Sequence, residues 1–99
     1  MATSTIKNPA KRTWTLIANQ IDSTEISIDV SAYSEVLMIL YNTSNYLINS
    51  TVYPVSLLNG HVVNAYGTSS DYYVRIKENG TKAVASTGGG VFKGIIYAR

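Results

Sequence analysis

The chain has 99 residues, which is the size of one domain, and a net charge of +2. Charged residues make up only 14% of the chain and hydrophobic residues 45%, which excludes a charged coiled coil or helical bundle and argues against disorder. Ser, Thr, Asn, Val and Ile are abundant, and eight residues are Tyr. This composition predicts an all-β protein whose surface carries hydroxyls and amides in place of charges.

The first 12 residues (MATSTIKNPAKR) are polar, and Pro9 interrupts any regular element through them. We expect residues 1–12 to form an arm or linker that docks on a neighbouring molecule through Lys7, Lys11 and Arg12. The arm has no apolar stretch of the kind found in secretion signals or membrane anchors. Its basic patch is small for a nucleic-acid domain, so we expect neither nucleic-acid binding nor membrane insertion.

A single β-sandwich domain is predicted over residues 13–99, and its first two strands alternate between polar and apolar side chains. Thr13–Ala18 alternates with a period of two, which is typical of a half-buried strand. Glu25–Val30 alternates more clearly, with Ile26, Ile28 and Val30 directed to the core. These segments predict strands that each have one face in water.

The segment Glu35–Asn42 (EVLMILYN) is apolar on both faces if it forms a strand. A helix capped by Ser31 or Ser34 is the competing interpretation, but the segment lacks a polar stripe, which favours a strand. A strand with two apolar faces is covered on both. The core covers Val36, Met38 and Leu40. We expect another copy of the chain to cover the opposite face, which consists of Leu37, Ile39 and Tyr41.

The second half of the chain contains short strands separated by turn signals. Asn59-Gly60 and Asn79-Gly80 are typical of hairpin turns. The predicted elements are a polar loop Asn42–Ser50 with a short edge strand, a strand Thr51–Val55, a hairpin of Val55–Leu58 with His61–Tyr66, a hairpin of Asp71–Lys77 with Thr81–Ser86, a loop Thr87–Gly90 and a strand Val91–Arg99. About eight short strands with this spacing predict an antiparallel, jelly-roll-like β-sandwich.

The sequence contains no pattern of catalytic or metal-binding residues. The one histidine, His61, lies beside a turn without companions at a known spacing, and the six acidic residues are scattered singly. We therefore expect no enzyme activity, no metal and no cofactor.

Aromatic, acidic and basic residues cluster around one predicted turn. Tyr combines a flat apolar ring with a hydroxyl at a low entropic cost, which suits the stacking of sugars. A strand also favours Tyr for packing alone, so the cluster has a structural interpretation as well. The candidate ligand-binding residues are Tyr66, Asp71, Tyr72, Tyr73 and Arg75.

The order of these segments resembles that of small β-domains in tail and structural proteins of phages and prophages, notably those of Firmicutes. The resemblance rests on Trp14–Ala18 (WTLIA), Ile26–Val30 (ISIDV), Tyr33–Leu40 (YSEVLMIL), Val52–Leu58 (VYPVSLL), Tyr72–Ile76 (YYVRI) and Ile95–Arg99 (IIYAR). It implies a β-sandwich at a fibre tip or on a capsid, in a homo-oligomer that is commonly a trimer. It also implies a virion protein made in the cytoplasm of a bacterial host.

The resemblance leads to one main hypothesis and leaves two alternatives open. The main hypothesis is a non-enzymatic virion protein that is attached to the tail or fibre, contacts other virion proteins and has host-surface glycans as a candidate ligand. The first alternative is a capsid decoration or head-fibre protein without a ligand. The second is a free carbohydrate-binding module.

Overall fold

A computed structural model describes residues 13–79, 82–90 and 92–99. The predicted docking arm, with Lys7, Lys11 and Arg12, lies outside the described residues. Within them the chain forms eight strands and one 3-10 helix. These are β1 (Thr15–Ile21), β2 (Ile26–Ile28), β3 (Glu35–Asn42), β4 (Leu47–Pro54), the 3-10 helix (Val55–Leu58), β5 (Val63–Tyr66), β6 (Tyr73–Asn79), β7 (Lys82–Gly88) and β8 (Phe92–Ala98).

The strands form two antiparallel four-stranded sheets that pack face to face. The first sheet has the order β1-β8-β3-β4, and the second has the order β2-β7-β6-β5. The chain is rolled up on itself, since β1 pairs with β8 and β2 pairs with β7. The β3–β4 and β5–β6–β7 hairpins each remain within one sheet. The predicted antiparallel β-sandwich of eight strands is confirmed.

The core lies between the sheets and is built from the inward faces of strands with a period of two. Val36, Met38 and Leu40 of β3 are completely buried, as are Val74 and Ile76 of β6. Full burial of one such aliphatic side chain contributes about 1.5–3 kcal/mol to folding. The strand interpretation of Glu35–Asn42 is confirmed with its predicted bounds.

The polar loop predicted over Asn42–Ser50 is shorter than expected, because the segment from Leu47 onward belongs to strand β4. This strand runs without a break over Leu47–Pro54 and pairs with β3, from Glu35 opposite Pro54 to Tyr41 opposite Leu47. An edge strand accommodates polar residues, since many of its side chains lie in water. Pairing with the strongly apolar β3 therefore outweighs the low strand preference of its Asn and Ser residues.

The predicted hairpin of Val55–Leu58 with His61–Tyr66 is wrong. Val55–Leu58 forms the 3-10 helix, and the turn at Gly60 leads from that helix into β5, which pairs with β6. The chain crosses here from the first sheet to the second, and Leu58 is buried at the crossing. The second hairpin is confirmed, because β6 and β7 pair up to Asn79 opposite Lys82.

Strand β1 departs from the alternation predicted for its segment. Its pairing with β8 shifts register between Leu16 and Ala18 and again between Ala18 and Ile21. Gln20 has a positive φ of 53° within this irregular part. As a result Ile17 and Ala18, which are neighbours in sequence, both pack against the core.

Candidate functional site

The outer face of the first sheet carries the residues predicted to form an oligomer interface. Leu37, Ile39 and Tyr41 alternate along β3 with the buried core residues, so they face away from the second sheet. All three are half-buried in the single chain. The structure therefore places the three residues together on one surface, in the middle of a sheet.

Apolar residues from all four strands continue this surface. Leu16 of β1 is opposite Tyr97 of β8, Tyr97 is opposite Leu37 of β3, and Leu37 is opposite Val52 of β4. Directly paired residues share one face of a sheet, so the four side chains form one row. Leu16 and Val52, at its ends, are 49% and 45% exposed. We call the whole surface the apolar face; it consists of Leu16, Leu37, Ile39, Tyr41, Val52, Ile95 and Tyr97.

One end of the apolar face has a polar rim. Arg99 pairs with Glu35 through Nε and Oε1 at 2.8 Å. The guanidinium of Arg99 also lies 4.1 Å from the ring centroid of Trp14. An apolar centre beside a polar and aromatic rim is the usual anatomy of a protein–protein interface.

The outer face of the second sheet carries three of the five predicted ligand-binding residues. Val74 and Ile76 are buried, so Tyr73 and Arg75 of β6 face outward. The Arg75 guanidinium lies 4.2 Å from the ring centroid of Tyr73. Tyr66 on β5 meets Tyr73 edge to face, with centroids 6.3 Å apart, and is 44% exposed.

Asn64 completes this group, and sequence reasoning missed it. Its Oδ1 accepts a 2.7 Å hydrogen bond from Nε of Arg75, which lies directly opposite on β6. The role of Asn64 becomes visible only when the register between β5 and β6 is known. We call Asn64, Tyr66, Tyr73 and Arg75 the tyrosine–arginine patch.

Two features outside the patch hold it in place. Tyr73 lies opposite Gly88 of β7, and a Cβ at Gly88 would overlap the Tyr73 ring, so the ring covers the glycine. The free edge of β5 is bound by strand β4 of the other sheet. Asn49 Nδ2 donates to the carbonyl of Tyr66 at 2.7 Å, and Tyr53 Oη donates to the carbonyl of Asn64 at 2.8 Å.

The other two predicted ligand-binding residues lie apart from the patch. Tyr72 packs against Phe92, with ring centroids 4.8 Å apart and planes tilted by 43°. Asp71 is exposed in the turn before β6, where its backbone nitrogen donates to Ser69 Oγ at 3.3 Å. The predicted cluster of five is thus divided, because Asp71 and Tyr72 precede β6 and only Tyr73 and Arg75 alternate onto its outer face.

A cleft of about 670 Å³ lies at one end of the sandwich, between the segment after β2 and the 3-10 helix. Its two carboxylates are already engaged in the fold. Asp29 accepts hydrogen bonds from the hydroxyl and backbone nitrogen of Ser31 at 2.7 and 3.0 Å, which lower the pKa of Asp29. Glu78 Oε1 accepts one from the backbone nitrogen of Gly60 at 2.8 Å.

The described residues offer little further chemistry. They include no group of three or more acidic, His or Cys side chains that would hold a metal ion. His61 is exposed, and its Nδ1 lies 3.3 Å from the carbonyl oxygen of Asn59. No helix in this part of the chain has the length and apolar character needed to cross a membrane.

Comparison of the chain with family models, with curated proteins and with solved structures finds no match. Functional inference therefore rests on the chemistry of the two outer sheet faces.

Proposed function

We propose that this chain is a non-enzymatic structural component of a phage virion that forms a homo-oligomer through the apolar face. The row of Leu16, Tyr97, Leu37 and Val52, which spans all four strands of the first sheet, supports the oligomeric part of the proposal. A sheet face exposed to water normally carries polar residues. Removing apolar surface from water is favourable by about 25 cal/mol per Å² before the costs of association are subtracted, so covering this face favours assembly.

A second copy of the chain is the occupant that best fits the apolar face. At one end of the face the charges of Glu35 and Arg99 neutralise each other within the chain, whereas Lys93, directly opposite Tyr41, places a positive charge at the other end. An apolar row packs against the same row of a second copy in a two-fold interface, and against a different patch of that copy in a ring such as a trimer. The resemblance to phage domains favours a trimer, and it is the support for a place in the tail or fibre.

The non-enzymatic part of the proposal draws support from the acidic side chains. Glu25 and Glu35 form ion pairs with Lys77 and Arg99. Asp29 and Glu78 hold turns through hydrogen bonds to nearby backbone. Each of these four carboxylates therefore already has a partner within the chain, which is the observation behind this part of the proposal.

The oligomeric state tests the apolar face directly. We expect multi-angle light scattering of the purified chain to give an oligomer, with a trimer favoured. Val52→Lys places a charge in the face and should yield a monomer, because an unpaired charge in an apolar interface is strongly unfavourable. Circular dichroism should show that Val52→Lys keeps the wild-type β-sheet spectrum.

Leu57→Lys is the matched control, because Leu57 is 41% exposed but lies on the 3-10 helix, away from the face. This variant should remain an oligomer. A wild-type chain that stays monomeric up to millimolar concentration would overturn the assembly, and so would equal dissociation of the two variants.

The virion location needs a separate experiment. Antibodies against the purified chain would be applied to phage particles released from the strain that carries the gene, and the particles viewed by electron microscopy. We expect labelling of tail tips or fibres. Labelling of heads would replace the tail location with capsid decoration, and unlabelled particles would overturn the virion role.

A further inference from the structure

We infer that the tyrosine–arginine patch binds a carbohydrate that carries a negative charge. The ligand needs a sugar ring for Tyr66 and an adjacent carboxylate or phosphate group for Arg75. The patch lies on the second sheet, opposite the apolar face, so the inference goes beyond the proposed assembly and does not depend on it.

Arg75 differs from Arg99 in how its positive charge is balanced. Arg99 and Arg75 have the same surroundings in one respect, since each guanidinium lies about 4 Å from an aromatic ring centroid. Nε of Arg99 donates to the carboxylate of Glu35, whereas Nε of Arg75 donates to the neutral amide of Asn64. Among the described residues, no carboxylate forms a salt bridge with Arg75. Within this part of the chain its positive charge therefore has no acidic partner.

Contacts within the patch fix the orientation of the Arg75 guanidinium. Asn64 accepts the hydrogen bond from Nε and the Tyr73 ring lies under Cζ, so the guanidinium is held at two points. Among the described residues no acceptor binds its terminal nitrogens, which leaves them for a partner. A guanidinium presents two parallel N–H groups that match the two oxygens of a carboxylate or phosphate. An anionic group is thus the ligand chemistry that fits this end of the patch.

Tyr66 adds an exposed aromatic side chain to the patch. Tyr66 is 44% exposed, and its ring stands at 74° to that of Tyr73, the ring that Arg75 contacts. An exposed tyrosine ring offers an apolar surface to the C–H face of a sugar and a hydroxyl to its polar edge. A small anion without a ring would use Arg75 alone. The combination indicates a charged sugar.

The patch is also held ready for binding. Asn49 and Tyr53 bind the carbonyls of Tyr66 and Asn64, and Gly88 provides the space in which the Tyr73 ring lies. A site whose side chains are already ordered loses less entropy when a ligand binds. Rigid placement by two sheets distinguishes this group from exposed side chains in a mobile loop.

The test is a titration of the full chain, followed by two-dimensional NMR. The charged probes are trigalacturonic acid and glucose 6-phosphate, and the neutral counterparts are galactotriose and glucose. We expect the charged sugars to shift the signals of Tyr66 and Arg75, with weaker binding as salt is added. The two charged probes show which anionic group is preferred. Binding of the neutral sugars with equal affinity would overturn the role of the charge.

Two variants and two matched controls assign the binding. Arg75→Gln and Tyr66→Ala should each weaken the binding of the better charged probe by about tenfold, which corresponds to one charged hydrogen bond or one stacked ring. Lys93→Gln removes one positive charge from β8 of the other sheet, and Tyr46→Ala removes a tyrosine that is 69% exposed elsewhere. Both controls should bind like the wild type. Equal losses in variants and controls would overturn the site.

Two further outcomes decide against the inference. Inorganic phosphate or citrate that binds as tightly as the charged sugars would show an anion site without sugar recognition. No binding by any charged probe would also overturn it. Because the titration does not require an oligomer, a negative result here leaves the light-scattering test of the apolar face unaffected.

Discussion

Gly94 on β8 lies at a position where the two sheets approach each other closely. A Cβ at this position would lie 2.6 Å from Cγ2 of Val74 and 3.4 Å from Cβ of Ile21. Both neighbours are fully buried core residues, so neither can move into solvent. The absence of a side chain at Gly94 therefore sets the local spacing of the sandwich.

We expect Gly94→Ala to lower the free energy of unfolding by about 1–3 kcal/mol, because overpacking forces the core apart. Urea denaturation followed by tryptophan fluorescence measures the change. The double variant Gly94→Ala/Val74→Ala removes the clashing methyl groups and should lose less than the sum of the two single variants. Simple additivity would show that Val74 does not limit the space.

Asp29 gives a prediction on pH. The hydroxyl and then the backbone nitrogen of Ser31 hydrogen-bond the carboxylate and lower the pKa of Asp29. A lowered pKa in the folded state contributes stability above the unfolded pKa, and this contribution is lost as the pH falls through the folded value. We expect Ser31→Ala to raise the pKa of Asp29 towards its ordinary value in an NMR titration. Ser27→Ala, on the preceding strand, should leave it unchanged.

Strand β4 as a whole element connects the edges of the two sheets. It forms the edge of the first sheet, and its Asn49 and Tyr53 side chains bind backbone carbonyls on the edge of the second. The free carbonyls of β5 are thereby satisfied within the chain. This contact closes one side of the sandwich and protects β5 from pairing with another strand.

The hydroxyl of Tyr53 can be tested alone. Tyr53→Phe removes the hydrogen bond to the half-buried carbonyl of Asn64 and should lower the free energy of unfolding by about 0.5–1.5 kcal/mol. Tyr46→Phe removes the hydroxyl of an exposed tyrosine and should have almost no effect. Equal melting temperatures for the two variants would show that the hydrogen bond between Tyr53 and Asn64 does not stabilise the contact between β4 and β5.

At the scale of the whole molecule, the two proposed surfaces lie on opposite sheets and should be separable. Val52→Lys should abolish assembly and leave the binding of a charged sugar at each single site unchanged. Arg75→Gln should weaken that binding about tenfold and leave the oligomer intact. Several sites on one oligomer would also raise the apparent affinity for a surface that carries many sugars. Light scattering and NMR titration of both variants measure the separation, and loss of both properties in one variant would contradict it.

The sequence predicted correctly those features that depend on one regularly alternating strand. The bounds of β3 and its two apolar faces follow from a period-two pattern that needs no partner, and so does the outward pairing of Tyr73 with Arg75. The Asn79-Gly80 turn also predicts the β6–β7 hairpin, because both strands are adjacent in sequence.

Features that depend on which strands pair, and in which register, were decided only by the tertiary structure. The polar β4 is a strand because β3 pairs with it, and β5 joins β6 because the chain crosses between sheets at the 3-10 helix. Asn64 belongs to the patch, and Gly88 supports it, because register places them beside Arg75 and Tyr73. Alternation along one strand is a local property of the backbone, whereas pairing and register depend on contacts between strands.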